Sequence, residues 1–129
     1  MTDTWTHLVW KRCIAGLTFA DGFCGGNPLP SAAGWNEALA AAYAEAAATG
    51  LAWRLPNAKE LSSIMDRSVS YPAMDSTAFP GTDNETLWTS TPTASPFPQG
   101  RTMSICCGTL QTAPIASNFQ ENWRLVRDE

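Results

Sequence analysis

The chain has 129 residues, of which 44% are hydrophobic and 16% charged. This length and apolar content suit one domain over residues 1–129 with a single core, and they exclude a mainly disordered chain. The net charge is −4. No cluster of Lys and Arg is present, which argues against nucleic acid as a partner. No apolar run reaches the ~18 residues of a spanning helix, so we expect no membrane insertion. The first residues also lack the pattern of a signal peptide.

The first predicted element is a strand over residues 5–13. Val, Thr and Trp favour the extended state, and alternation places Leu8 and Trp10 on one face and His7 and Val9 on the other. His7 is the only histidine, and one histidine cannot supply the ligands of a zinc site. We therefore interpret His7 as an ordinary strand residue and predict no metal site.

A turn-rich stretch from Gly16 to Pro30 follows, with many Gly, Asn and Pro residues. Cys13 and Cys24 bracket part of it. Two interpretations stay open, because spacing alone does not establish connectivity. The pair forms a disulfide that pins the loop in an oxidising setting, or it is two buried free thiols.

Two helices are predicted next. The run from Ser31 to Gly50 is rich in alanine, the best helix former, and Gly50 stands where a left-handed C-terminal cap is expected. The second helix begins after Pro56. Asn57 is its predicted N-cap, and Glu60 follows three residues later, as in a capping box.

The second half of the chain alternates irregular segments with strands. Residues 68–83 have no period, and Pro and Gly interrupt them. Strands are predicted over residues 87–91, 101–107 and 122–127, with irregular residues 92–100 and a turn at Gly108 between them. Strands segregated from the helices indicate an α+β domain with an antiparallel sheet.

Two further segments contain side chains of reactive or metal-binding types. Cys106 and Cys107 are adjacent, and strand alternation sends them to opposite faces. A bridge between them is not expected, since a usual disulfide needs ~5.5 Å between Cα atoms; a redox or copper role is the less favoured alternative.

Gly81 to Glu85 offers oxygen ligands of the kind calcium takes, but it lacks the order of an EF-hand and is interpreted as a polar loop. With no nucleophile or phosphate-binding motif either, we predict no cofactor and no enzyme.

Residues 53–61 read Trp-Arg-Leu-Pro-Asn-Ala-Lys-Glu-Leu. They closely resemble the WRLP-x-x-x-EL signature of the Lcl C-terminal domain family, a bacterial domain of unknown function known from a collagen-like adhesin. Further blocks of that family are matched in order by Trp10–Cys13, Gly16, Cys24–Gly25, Trp35, Ala38, Pro72, Asp75, Phe79–Pro80, Leu87–Thr91 and Arg124–Arg127. The resemblance implies a C-type-lectin-like fold. In that fold the N- and C-terminal strands pair, two helices flank a mostly antiparallel sheet, and long irregular loops lead into the central strands.

The chain departs from the family and its fold relatives at two points. The cysteine of the family's last strand is Leu125 here, so a disulfide that uses it is lost. The calcium-dependent sugar motifs of true C-type lectins, Glu-Pro-Asn and Trp-Asn-Asp, are absent, so a calcium-bridged sugar site is not expected.

The signature residues Trp53, Arg54, Leu55 and Pro56, with Trp88 of the strand block, are assigned a structural role. Pro56 sets the entry to the second helix, and Trp53 and Leu55 are expected to pack under it. The planar fork of donors on Arg54 is expected to hold loop carbonyls.

The resemblance implies a non-catalytic ligand-binding or adhesion module, extracytoplasmic on a cell surface or virion. We expect it to recognise glycan or protein through the loops of residues 68–101 and 108–122, because binding residues concentrate on loops. Amide and carboxylate groups there suit sugar hydroxyls or peptide backbone. The predicted ligand-binding residues are Asp83, Asn84, Glu85, Asn118, Gln120 and Asn122. Two alternatives remain: an assembly subunit of a surface or phage particle, and an enzyme related to the formylglycine-generating group, for which Cys106 and Cys107 are the only candidates.

Overall fold

The computed structural model describes residues 1–26, 34–80, 86–93, 99–114 and 121–129. In chain order the elements are β1 (Thr2–Asp3), β2 (Leu8–Trp10), β3 (Thr18–Ala20), β4 (Phe23–Gly25), α1 (Trp35–Thr49), α2 (Ala58–Ser63), β5 (Thr86–Thr93), β6 (Gln99–Ser104), β7 (Thr109–Pro114) and β8 (Val126–Asp128). The described strands form the antiparallel sheets β1–β2–β8, β3–β4 and β5–β6–β7. The predicted α+β class is therefore confirmed. Within the described ranges, no helix combines the length and apolarity needed to cross a membrane.

The two chain ends meet in the first sheet. Trp10 of β2 pairs with Val126 of β8 in antiparallel register, as expected. The predicted strand over residues 5–13 is too long, because the backbone N–H of His7 donates to the Asp3 carbonyl at 2.8 Å and closes a turn. His7 has a left-handed φ of 59° there and is exposed. Leu8 and Trp10 are both buried, as the alternation predicts.

Both helices follow their predicted end signals. Gly50 caps the C-terminus of α1, as predicted. Its φ of 70° is left-handed, and its N–H donates to the Ala46 carbonyl. Residues 31–33 of the predicted first helix lie outside the described residues. α2 begins with the predicted capping box: the Asn57 side chain accepts from the Glu60 N–H at 2.8 Å, and the Asn57 N–H donates to the Glu60 carboxylate at 2.9 Å.

The β5–β6–β7 sheet is covered on both faces. Leu87 and Met103 are register partners on one face and belong to a cluster that includes Leu61 of α2. Trp88 and Ala113 point to the opposite face, where a second cluster contains Ala38 and Ala42 of α1. The small alanines let α1 lie close to the sheet. Each helix therefore covers one face.

Three of the strand predictions are wrong. β6 begins at Gln99 and ends at Ser104, so residues 105–108 form a turn that ends at Gly108, with a φ of 69°. β7 occupies residues predicted as loop, because four of its six side chains are exposed and give no apolar signal. Likewise, β3 and β4 form a hairpin of largely exposed residues inside the predicted turn-rich stretch.

Candidate functional site

The signature segment Trp53–Pro56 joins two sheets through its backbone. Arg54 and Val126 exchange two backbone hydrogen bonds of 2.9 Å each, which attaches the segment to β8. The Pro56 carbonyl accepts from the Ser90 N–H of β5 at 2.8 Å. The segment thus holds the sheet of the chain ends against the central sheet.

Trp53 lies among cations. The Lys11 Nζ is 4.7 Å and the Arg127 Cζ 5.4 Å from its ring centroid, distances at which a cation is attracted to the ring. Lys11 also forms an ion pair of 2.8 Å with Glu45 of α1. Trp53 and Leu55 contact the cluster on α1, instead of lying under the second helix as expected.

Arg54 binds carboxylates and not the loop carbonyls that were expected. Its Nη1 and Nη2 donate to the two oxygens of Glu60 at 2.7 and 2.8 Å, and Nη2 also donates to Asp128 at 3.1 Å. The hydrogen bond from Arg54 is the main cause that lowers the pKa of Glu60, and the same bond raises the pKa of Arg54. Such a bidentate pair fixes the side chain in one orientation.

A buried cation that was not among the predicted site residues contacts the backbone just after β2. Arg124 is fully buried, its Nη1 donates to the Lys11 carbonyl at 2.8 Å, and its Cζ lies 4.8 Å from the centroid of Phe79. Burial lowers the pKa of Arg124 to about 9, so the guanidinium keeps its charge at neutral pH. In the sequence, Arg124 stood out only as part of the family's closing block.

Of the predicted ligand-binding residues, the structure describes Asn122. Asp83, Asn84, Glu85, Asn118 and Gln120 lie outside the described residues. Asn122 is half-buried and forms a parallel bridge with Leu87. Its N–H donates to the Thr86 carbonyl at 3.2 Å, and its carbonyl accepts from the Trp88 N–H at 2.8 Å. Asn122 therefore lies beside the first residues of β5.

This pairing relates the two predicted polar segments to each other. Glu85 is covalently joined to Thr86, and Gln120 precedes Asn122 by two residues. Both segments therefore enter the described structure at neighbouring points along the outer edge of β5.

At the other end of the same sheet, the register joins Thr93 to Gln99 and Gln99 to Pro114. Thr93 and Gln99 lie on either side of positions 94–98, and Pro114 comes directly before positions 115–120. The ends of the predicted loops are therefore attached to one three-stranded sheet.

A groove that sequence reasoning missed lies beside the first disulfide loop. It has a volume of about 500 Å³, within the range of small-molecule sites. Its described lining comprises residues 11–19, Ala41, Glu45, Trp123 and Leu125. Its cations are engaged internally, since Lys11 pairs with Glu45 and Arg12 donates to the carbonyls of Thr77 and Ala78. The signal in the sequence was the cysteine pair that brackets this loop.

The cysteines form two disulfides, and none is free. Cys13 and Cys24 are bridged with Cα atoms 5.6 Å apart, which settles the open choice for this pair. The expectation that Cys106 and Cys107 do not bridge is wrong: they lie in the turn after β6, where strand alternation does not separate them, and are bonded to each other. In the described ranges, no three His, Cys, Asp or Glu side chains are placed to hold a metal ion.

The comparisons with known proteins identify a family and no individual relative. The family model of the Lcl C-terminal domain matches residues 1–127. No curated protein and no solved structure matches the chain.

Proposed function

We propose that this chain, which belongs to the Lcl C-terminal domain family, is a non-catalytic binding module with a C-type-lectin-like fold. It recognises a glycan or a protein on the extracytoplasmic side of a cell or virion. The ligand contacts the loops between α2 and β8, and no calcium ion bridges it to the protein. The ligand-binding residues are Asp83, Asn84, Glu85, Asn118, Gln120 and Asn122.

The backbone pairing of Asn122 with Thr86 and Trp88 is the observation that carries this proposal. It joins Asn122 to Thr86, the residue that follows Glu85, although the two predicted polar segments are far apart in the sequence. A surface built from several loops on a fixed sheet is a common design for recognition. Carboxylate groups accept hydrogen bonds and amide groups both accept and donate them, which suits sugar hydroxyls or peptide groups.

The chemistry of the signature segment supports the same assignment by contrast. Trp53 is stacked by Lys11 and Arg127, and Arg54 is held by two carboxylates. These groups already have partners within the chain. A ligand there would have to displace these internal contacts.

Binding on a glycan array and to immobilised peptides tests the proposal. The first variant replaces Asp83, Asn84 and Glu85 by alanine, and the second replaces Asn118, Gln120 and Asn122. We expect each to lose at least about tenfold in affinity for the array hit, equivalent to about 1.4 kcal/mol. The matched control replaces Glu37, Tyr43 and Ser63 on the exposed helix faces by alanine and is expected to bind as the parent does.

A second candidate function rests on the outer face of α1. Tyr43 is 80% exposed there, and Ala40, Ala44 and Ala47 beside it are exposed as well. Such a face suits an assembly subunit better than a glycan receptor. If the helix-face variant loses binding or oligomerisation and the loop variants do not, the assembly function replaces the proposed one.

A further inference from the structure

We propose that the Cys106–Cys107 disulfide is a redox modification site, which thiol reductants open while the Cys13–Cys24 disulfide stays closed. The inference goes beyond ligand binding and does not depend on it. It follows from the different surroundings of the two disulfides and from the different lengths of chain that they close.

The two disulfides differ in access. Cys107 is exposed and Cys106 half-buried, at the tip of the turn between β6 and β7. Cys13 is buried, and Cys24, in β4 of the β3–β4 hairpin, is half-buried. Thiol–disulfide exchange requires a thiolate to reach a disulfide sulfur. The exposed cysteine of the second pair is therefore the more accessible target.

The fold also protects the two disulfides unequally. Cys13 and Cys24 are separated by 11 positions, so their bond removes chain entropy from the unfolded state. By linkage, folding stabilises that bond by the same amount. Cys106 and Cys107 are adjacent, and their Cα atoms are 3.8 Å apart, the spacing that any trans peptide imposes. Their bond closes only the small ring through their own peptide bond and constrains no further length of chain, so folding adds no comparable protection.

The reaction is a two-electron exchange with a dithiol. A thiolate of the reductant attacks Sγ of Cys107, a mixed disulfide forms, and the Sγ–Sγ bond breaks. Cys106 leaves as a thiolate and takes a proton. The second thiolate of the reductant then attacks its own mixed-disulfide sulfur and releases Cys107, which is also protonated. The protein gains two electrons and two protons, and the dithiol becomes a cyclic disulfide.

Opening of this bond affects the segment around Tyr71, which is hydrogen-bonded to the turn that holds the two cysteines. The Cys106 carbonyl accepts from the Tyr71 N–H at 2.8 Å, and the Ile105 carbonyl accepts from the Ala73 N–H at 2.7 Å. The Gly108 carbonyl accepts from the Arg67 Nε at 3.1 Å. Tyr71 is 69% exposed. Release of the turn loosens the backbone that holds this tyrosine in place.

Graded reduction of the native protein with dithiothreitol, followed by alkylation and peptide mass mapping, tests the inference. We expect Cys106 and Cys107 to be half-alkylated at a dithiothreitol concentration at least about tenfold below that for Cys13 and Cys24, as their unequal chain constraint implies. Amide hydrogen exchange at Tyr71 and Ala73 should rise at that same step. The Cys106→Ala/Cys107→Ala variant should lack the early alkylation step and keep the late one.

Three results would overturn the inference. The first is alkylation of Cys106 or Cys107 before any reductant is added, which shows that no disulfide exists. The second is opening of the Cys13–Cys24 pair at the same or a lower dithiothreitol concentration. The third is early reduction with no change in exchange at Tyr71 and Ala73, which removes the link to the neighbouring surface.

Discussion

The signature segment and the edge of β5 around Asn122 are fixed by different kinds of contact, side-chain contacts in the first and backbone hydrogen bonds in the second. In the signature segment, Arg54 has two carboxylate partners and Trp53 has two cationic neighbours. At the β5 edge, Asn122 is fixed through its backbone, and its amide side chain is one of a polar set in the sequence. The contacts of the first region hold parts of the fold together, and we propose that the second region binds a partner.

This difference separates the features that identify the family from those that would carry its function. Residues 53–61 give the strongest resemblance, yet their contacts join β8, β5 and α2 to one another. A residue can mark a family because the fold needs it. Substitutions in the signature segment should therefore lower folding stability, and substitutions at the edge of β5 should lower ligand affinity.

The largest stability loss is expected from Trp53→Ala. It removes a partly buried ring from the α1 cluster, and we expect a loss of about 3 kcal/mol, the low end for such a truncation. Chemical denaturation measures this loss. The matched control is Trp5→Ala, because Trp5 is 90% exposed and its loss should leave stability unchanged. An unmoved transition with abolished ligand binding would reverse the assignment of the two regions.

Gly100→Ala is expected to be next in size. A Cβ there would lie 2.9 Å from Cδ1 of Trp35 and 3.1 Å from Cζ3 of Trp88. The added methyl group therefore overpacks the core on the α1 side of the sheet, and we expect a loss of about 1–3 kcal/mol in folding stability. The Trp35 indole also donates to the Thr89 carbonyl at 2.7 Å and would have to shift. Gly25→Ala, with nothing within 4 Å of the added Cβ, is the control. Equal thermal stability of the two variants contradicts this packing.

A smaller effect is expected from Glu60→Gln, and it should depend on pH. Because Arg54 lowers the pKa of Glu60, the pair stabilises the fold above the ordinary glutamate range, and this contribution is lost as the pH falls through the lowered pKa. Half-exposed pairs are screened by water, so we expect about 1 kcal/mol or less at pH 7. The difference between parent and variant should shrink as the pH falls below the ordinary glutamate range, because the carboxylate of Glu60 is then protonated. Denaturation at several pH values measures it, and Glu37→Gln serves as the control. A difference that is constant with pH contradicts the ion pair.

The smallest stability effects are expected in the loops. Alanine blocks at residues 83–85 and at 118 and 120 should each change stability by less than about 0.5 kcal/mol, as ordinary surface changes do. A chelator should likewise leave both the melting temperature and array binding unchanged. A large fall in melting temperature on chelation would show a bound cation that stabilises the fold.

Local signals predicted much of the helical structure. The Asn57–Glu60 capping box and the left-handed Gly50 depend on residues within four positions of each other, and such patterns are visible in a sequence. The pairing of the chain ends came from the family resemblance. These parts of the fold could be predicted without coordinates.

Long-range geometry explains most of what could not be predicted. The contact of Arg54 with Asp128 joins residues 74 positions apart and depends on the register of β8 against the signature segment. β7 has few buried side chains and therefore no apolar pattern. The Cys106–Cys107 bond was missed because the predicted strand 101–107 ran through residues that form a turn.

The most direct test of the central claim is the position of a bound ligand. Backbone and indole NMR signals of the labelled protein would be followed while the strongest glycan or peptide from the array screen is added. We predict that perturbations concentrate at residues 81–86 and 118–122, the two segments that meet where Asn122 pairs with Thr86 and Trp88, and that the indole N–H of Trp53 does not shift. Perturbations centred on Trp53–Pro56, or on the helix faces around Ala44 and Ser63, would contradict the account.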